Sequence, residues 1–300
     1  MFSSHVNHLL SKESFLEHLK SIVSLTDLND YILDAIDQIF DGCSQLNLSW
    51  IELNKAEVGA IEQMLSLNLP VTSLNLGATQ IGHEGALAIA NGLALNHTLE
   101  CLAFYGNYIG PVGAEGIAQS ILNNNTLKQL FLSANLISTI SNDNGAIAIA
   151  NSLKYNSAIS YLGLDDNDIG SKGGLAFAEA LVDNKTLETL HLGNNCLGDK
   201  AVEAIANSLM VNTSLTVLGI GGTGITNNSA LALAESLMVN QSLTFLDLSH
   251  NCIENDGLIA IVDSLKLNKT LTTIKLDHNC GDLDIAEYLE GLGRTIEVYL

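Results

Sequence analysis

The sequence predicts an α/β fold, a right-handed solenoid in which strand–helix layers stack one on the next. Three observations predict it. A leucine-rich phrase recurs about nine times from residue 43 onward, at a spacing of 28 residues. Within each unit the hydrophobic period changes, from two over a short L-x-x-L-x-L stretch to that of a helix over the Ala- and Leu-rich stretch that follows. The palette is narrow, 47% hydrophobic but only 5% aromatic, so Leu, Ile and Ala must build the core. That palette suits shallow repeated layers better than an irregular globule.

Residues 1–42 stand outside the repeat and read as a helical N-terminal cap. Phe15, Leu16, Leu19, Ile22 and Val23 recur at helical spacing, as do Leu28, Tyr31, Ile32, Ala35, Ile36 and Ile39. Thr26 or Asp27 would cap the second helix and Gly42 would stop it. The ends of a stacked core need such shielding.

The repeats run from 43 to 281. Their central strand position reads Leu46, Leu74, Leu102, Leu130, Leu162, Leu190, Leu218, Leu246 and Ile274. Only the step from Leu130 to Leu162 is longer, at 32 residues. Four residues are therefore inserted within Ser138–Asn144, between strand and helix, as a surface elaboration or a contact loop. Each unit should give one strand and one antiparallel helix, with Ala90, Ala118, Ala150, Ala178, Ala206 and Ala234 where helix meets sheet. Strands stack about 4.8 Å apart and helices about 10 Å, so the stack bends, strands inside and helices outside.

Two asparagine columns punctuate the units. Asn107, Asn135, Asn167, Asn195, Asn251 and Asn279 follow the strand, where a buried amide can satisfy the turn. Thr79 and Thr223 fill that slot in two units and Ile51 in the first. Asn68, Asn96, Asn124, Asn156, Asn184, Asn212, Asn240 and Asn268 end the helices, which predicts left-handed helix caps. The repeat explains the N-x-S/T matches that this column creates, so they are not read as glycosylation sites. After Asn279 the pattern degrades. Residues 282–300 read as a C-terminal cap, a short helix over Asp282–Leu292 and a final strand within Thr295–Leu300.

Charge and cysteine usage narrow the partners. With 33 acidic against 12 basic residues the net charge is −21, and Arg294 is the only arginine. Such a surface repels phosphate backbones and attracts a basic protein patch, which predicts a protein partner and no nucleic acid. No apolar run reaches the length of a membrane span. The N-terminus lacks the basic-then-apolar layout of a secretory signal. The five cysteines, Cys43, Cys101, Cys196, Cys252 and Cys280, fall at repeat-determined positions, which predicts buried free thiols in a reducing compartment.

Candidate chemical motifs dissolve into the repeat. Gly193 to Lys200 approaches a phosphate loop but lacks Gly-Lys-Ser/Thr. The cluster Gly219, Gly221, Gly222 and Gly224 has no helix-opening fingerprint. There is no G-x-S-x-G, H-E-x-x-H or paired C-x-x-C. The sequence thus predicts no enzyme, no cofactor and no metal. His250 and His278 would stand about 5 Å apart on neighbouring strands, but on such faces solvated polar residues are far commoner than ligands.

The residues the repeat leaves free lie on the concave face. Phe131, His191, Asp247 and Lys275 occupy the column between the last two strand leucines, and Tyr161 and Phe245 the column before it. Trp50, Tyr105, Asp165, Asp166, Asn194, His250, Asp277 and His278 follow the strand. Large aromatics stand on a floor of Gly, Ala and Ser, a composition suited to interface hot spots. These fourteen residues are the predicted partner-binding set.

The phrase L-x-x-L-x-L-x-x-N-x-[IL]-G-x-x-G-A-x-x-[IL]-A-x-x-L-x-x-N-x-[TS], nearly whole in Leu99–Asn124 and Ile159–Asn184, resembles the ribonuclease-inhibitor-type leucine-rich repeat. The resemblance implies a horseshoe-shaped leucine-rich-repeat solenoid that works as a monomeric, non-enzymatic protein-binding surface. The chain is cysteine-poor beside mammalian ribonuclease inhibitors and does not alternate 28- and 29-residue units. A second implied role is activation of a small GTPase of the Ran type, for which the Ser138–Asn144 insertion would present the polar residue; the acidic tail of that family is missing. The tail, with Glu287, Glu290, Glu297 and Val298, resembles the translocation signal of type IV-secreted bacterial effectors. That implies a virulence-associated protein secreted into host cytoplasm, the alternative being a cytoplasmic protein.

Overall fold

The structure, a computed structural model, describes residues 11–139, 141–282 and 296–299. Two helices lead, α1 (Lys12–Lys20) and α2 (Asp30–Phe40). Strand and helix then alternate: β1 (Gln45–Asn47), α3 (Lys55–Ser66), β2 (Ser73–Asn75), α4 (Gly82–Leu95), β3 (Cys101–Ala103), α5 (Gly110–Ile121), β4 (Gln129–Phe131) and α6 (Asn144–Leu153). The series continues with β5 (Tyr161–Gly163), α7 (Ser171–Asp183), β6 (Thr189–His191), α8 (Gly198–Leu209), β7 (Val217–Gly219) and α9 (Asn227–Val239). It ends with β8 (Phe245–Asp247), α10 (Asn255–Leu265), β9 (Thr273–Lys275) and β10 (Glu297–Tyr299). The ten strands form one open parallel sheet in sequence order.

The strand register is the one the leucines dictate. Leu46 pairs with Leu74, and the pairing runs through Leu102, Leu130, Leu162, Leu190, Leu218 and Leu246 to Ile274. Val298 continues it in β10. The ladder also runs past each strand, because Leu48 N–H donates to Asn75 O and Trp50 N–H to Gly77 O. The three leucine positions of each unit, Cys43 of the first excepted, are buried, and they form one continuous apolar cluster with Phe15, Leu19, Ile32 and Ile36 of the leading helices. Adjacent helices approach through small residues. A Cβ at Gly113 of α5 would come within 2.9 Å of Ala86 Cβ in α4.

The asparagine columns explain how so many turns can be buried. In the first column Asn195 Nδ2 donates to the carbonyls of Leu164 in the previous layer and of Leu192 and Gly193 in its own. Its Oδ1 accepts from Asn167 N–H and Ile169 N–H. Thr79 and Thr223 keep one of these bonds, to Leu76 O and Ile220 O.

The second column works by the same means and not by a left-handed cap. Asn96, Asn184 and Asn240 are extended, with φ between −67 and −84°; only Asn68 of this column is left-handed, at φ 56°. Asn184 Nδ2 reaches Leu153 O and Asn156 O one layer back, while its Oδ1 accepts from Thr186 N–H and Leu187 N–H. A buried amide with two donors and two lone pairs outweighs the backbone freedom that the sequence suggested.

Other expectations need correction. Asn29, not Thr26 or Asp27, caps α2, its side chain accepting from Ile32 N–H. Cys196, Cys252 and Cys280 are free but exposed, and Cys43 and Cys101 are half-buried. The slot behind the turn asparagine lies on the strand-to-helix edge and not in the core. The inserted loop closes on itself, Thr139 pairing with Asn142, and Asp143 then accepts from Gly170 N–H and Gly173 N–H of the next layer. Asp199 repeats that reach, accepting from Thr226 and Ser229. Burial pushes the Asp199 carboxyl up, but these bonds outweigh it and hold it below the ordinary value. The strand read within Thr295–Leu300 is β10, whereas the helix read over Asp282–Leu292 falls almost entirely outside the described residues. Among the described residues no helix is long and apolar enough to cross a membrane.

Removing one turn amide strands several buried backbone groups at once. Asn195→Ala should cost about 3 kcal/mol, read as a lower urea midpoint. Asn195→Thr should cost roughly half as much, since Thr223 shows that a hydroxyl keeps the bond within the unit. Equal losses for the two variants would contradict the ladder.

Candidate functional site

Three columns of side chains leave the sheet on the face away from the helices. They are the first and last residues of each strand and the second residue after it, which are half-buried or exposed in nearly every layer while the leucines between them are buried. Every residue of the predicted set lies on this face or at its rim, but they do not form one patch.

The centre is a run of rings. Phe131 of β4 and Tyr161 of β5 have centroids 4.5 Å apart, and Tyr161 and His191 of β6 are 5.6 Å apart. Burial raises the Tyr161 phenol above its usual value, helped by the nearby Asp165 carboxylate. The rings lie down over glycines. A Cβ at Gly77 would sit 2.1 Å from Cζ of the Tyr105 ring, and one at Gly219 would sit 2.6 Å from His191 Nδ1. Side-chain contacts of ordinary length could not form over any other residue there.

Phe245 stands apart, two layers beyond His191, beneath Lys275 Nζ at 5.5 Å from its centroid. Lys275 also pairs with Asp247 at 3.2 Å. Burial pushes the Asp247 carboxyl up, but bonds from Ser249 and Lys275 win and leave it depressed. Asp165 is likewise engaged, accepting from Gly193 N–H at 2.9 Å and from Ser133 Oγ at 3.3 Å. Asp166 and Asn194 are exposed. At the far end, His250 and His278 stack at 4.2 Å, with Asp277 bonded to His278. Trp50, 79% exposed, stands at the opposite, N-terminal end.

A regularity that the sequence did not reveal governs the rim. Trp50, Ala78, Gly106, Ala134, Asp166, Asn194, Gly222, His250 and His278 hold the same slot in successive layers, and all are left-handed, with φ between 52 and 67°. Two residues further on, Tyr108 and Leu136 are left-handed as well, at φ 55 and 56°, and 65% and 47% exposed. Bulky residues in this region are uncommon and cost roughly 1–2 kcal/mol each. They stand in neighbouring layers on the strand-to-helix edge, exposed and not required by the packing. Both follow the turn asparagine directly, but so do Cys196, Cys252 and Cys280, which are not left-handed, so position in the repeat does not by itself mark the conformation.

Comparison with known proteins agrees with this architecture. The family described as Leucine Rich repeat matches at residues 67–90, 95–118, 155–178, 183–206, 211–234 and 239–262. The chain is a leucine-rich-repeat protein. The gap in the matches, 119–154, holds the unit with the insertion. This leucine-rich-repeat family is typically a non-enzymatic protein-binding scaffold, and no catalytic family is indicated. No curated protein matches the chain. Similar solved structures include actin-binding site 2 of leiomodin-1, at 22% identity and TM-score 0.44 over 52% of this chain and 90% of that one. The C-terminal domain of Caenorhabditis elegans tropomodulin is similar at 14% identity and TM-score 0.43, over 50% and 92% of the two chains. An internalin from Listeria monocytogenes is similar at 20% identity and TM-score 0.49, over 80% and 70%.

If the rings lie flat because glycine lets them, adding one methyl should lift one ring without unfolding the stack. Gly77→Ala should shift the Tyr105 ring signals in aromatic NMR spectra while moving the thermal midpoint by only a few degrees, roughly the effect of 1 kcal/mol. Unchanged Tyr105 signals would contradict the geometry.

Proposed function

We propose that the protein binds a protein partner on its concave face, with the ring run of Phe131, Tyr161 and His191 as the anchor. The contiguity of those three rings carries the proposal, because the leucines beneath already complete the core and packing needs no further aromatics. Aromatic anchors in a rigid concavity have the character of hot spots. Tyr105, Tyr108 and Leu136 extend the apolar area. Asp166, Asp165, Asp247 and Asp277 rim it with negative charge, which together with the net charge of −21 favours a basic patch on the partner. Asn194 flanks the run in the layer of His191, and Trp50, Phe245, Lys275, His250 and His278 complete the face toward its two ends. The protein acts as a monomer in this reading, of the ribonuclease-inhibitor type in its repeat, and by occlusion or scaffolding rather than chemistry.

The tail resemblance supports a finer version, in which the partner is a eukaryotic host protein and the chain a translocated effector. One experiment addresses both levels. The chain and its Phe131→Ala/Tyr161→Ala variant are used to capture proteins from bacterial and eukaryotic lysates, with identification by mass spectrometry. A partner from eukaryotic lysate only, recovered at least about tenfold less by the variant, is the expected result. Equal recovery by the variant would remove the concave-face reading, and recovery from bacterial lysate would remove the host-directed one. Stimulation of GTP hydrolysis in a small-GTPase panel at substoichiometric protein would replace simple binding with activation.

A further inference from the structure

We propose that His250, His278 and the Asp277 carboxylate form a site for one divalent transition-metal ion of the zinc type, at the C-terminal end of the concave face. The inference is independent of the partner proposed above. It rests first on distance. The ligand atoms of the three side chains all lie within 4.8 Å of one another. His278 Nδ1 stands 2.9 Å from Asp277 Oδ2, and His250 Nε2 stands 4.0 Å from the same oxygen. A tetrahedral zinc with bonds near 2.0–2.1 Å requires ligand atoms about 3.4 Å apart. Each imidazole lone pair lies in its ring plane, so the two stacked rings must turn out of their stack to converge on one ion, and both are exposed enough to turn.

The backbone holds the arrangement. β8 and β9 are in register, and His250 N–H donates to Asp277 O at 2.9 Å. Both histidines occupy the left-handed slot, at φ 55 and 57°, so their side chains leave neighbouring layers in the same direction. The rings consequently lie within 13° of parallel. Other layers place Ala, Gly, Asn, Asp or Trp in this slot, and only these two adjacent layers carry imidazole.

The donor set selects the ion. Two imidazole nitrogens and one carboxylate oxygen favour zinc, nickel or copper, whereas calcium and magnesium prefer oxygen alone. The nearest side-chain cation along the strand, Lys275, is already paired with Asp247. Three protein ligands leave a fourth position open to water or to a donor from another molecule.

The test is isothermal titration of the full chain with zinc chloride, supported by the visible absorption of the cobalt-substituted protein. The expected result is one ion per chain, no competition from millimolar magnesium, and cobalt absorption of tetrahedral intensity. His250→Ala and His278→Ala should each weaken binding at least about tenfold, and His191→Ala, on β6, should leave it unchanged. Alanine is tolerated in the slot, since Ala78 and Ala134 hold it at φ 56 and 57°, so the variants keep the fold; circular dichroism verifies this. Absence of binding overturns the proposal. So does binding that the two histidine variants leave intact, which would reveal only adventitious cations on an acidic surface.

Discussion

The buried amide of asparagine is the interaction on which the rest of this structure depends. A solenoid layer has two turns, and each leaves backbone N–H and C=O groups away from water, where an unpaired group costs roughly 1–3 kcal/mol. One asparagine column closes the strand-side turns and another the helix-side turns, and in both the amide reaches into the neighbouring layer. Each layer is thereby satisfied by the next, so the leucines can stack without a globular core. Van der Waals packing of leucines alone would leave the register free to slip. The hydrogen bonds fix it to the residue, from Leu46 to Ile274.

Because the scaffold is complete without them, the side chains on the face opposite the helices are free of structural duty in a way core residues never are. Some are drawn back into service: Asp165 ties two layers together, and Asp247 is held by Ser249 and Lys275. Others are not. Phe131, Tyr161 and His191 form a run of ring contacts, Tyr105 rests on a glycine, and Tyr108 and Leu136 accept a strained backbone while exposed. Apolar area held rigidly on a sheet face costs solvation in the free protein and little entropy on association.

The division between legible and illegible features follows the same physics. Strand register, the first asparagine ladder and the place of the insertion were readable because each depends on a residue type recurring at one spacing. The helix-side asparagines were readable as a column but not in their action, since propensity for the left-handed region and amide bonding predict the same residue. Cysteine exposure was misjudged because the slot after Asn195, Asn251 and Asn279 looks like part of the repeat core and lies instead on an edge. The left-handed rim could not be read at all from Trp50 or Ala78, which carry no signature of that conformation. Side-chain meetings across layers, such as Tyr161 with both Phe131 and His191, needed coordinates, because spacing gives the layer but not the direction in which a ring lies.

The central claim is that the face opposite the helices does the work while the helices and amide ladders only support it. Hydrogen–deuterium exchange on the protein alone and in complex with its captured partner tests that claim directly. The account predicts slowed exchange confined to peptides spanning β3 to β6 and their following rim, with the helices α5 to α8 unchanged. Protection concentrated on those helices, with the strands and rim unaffected, would contradict it.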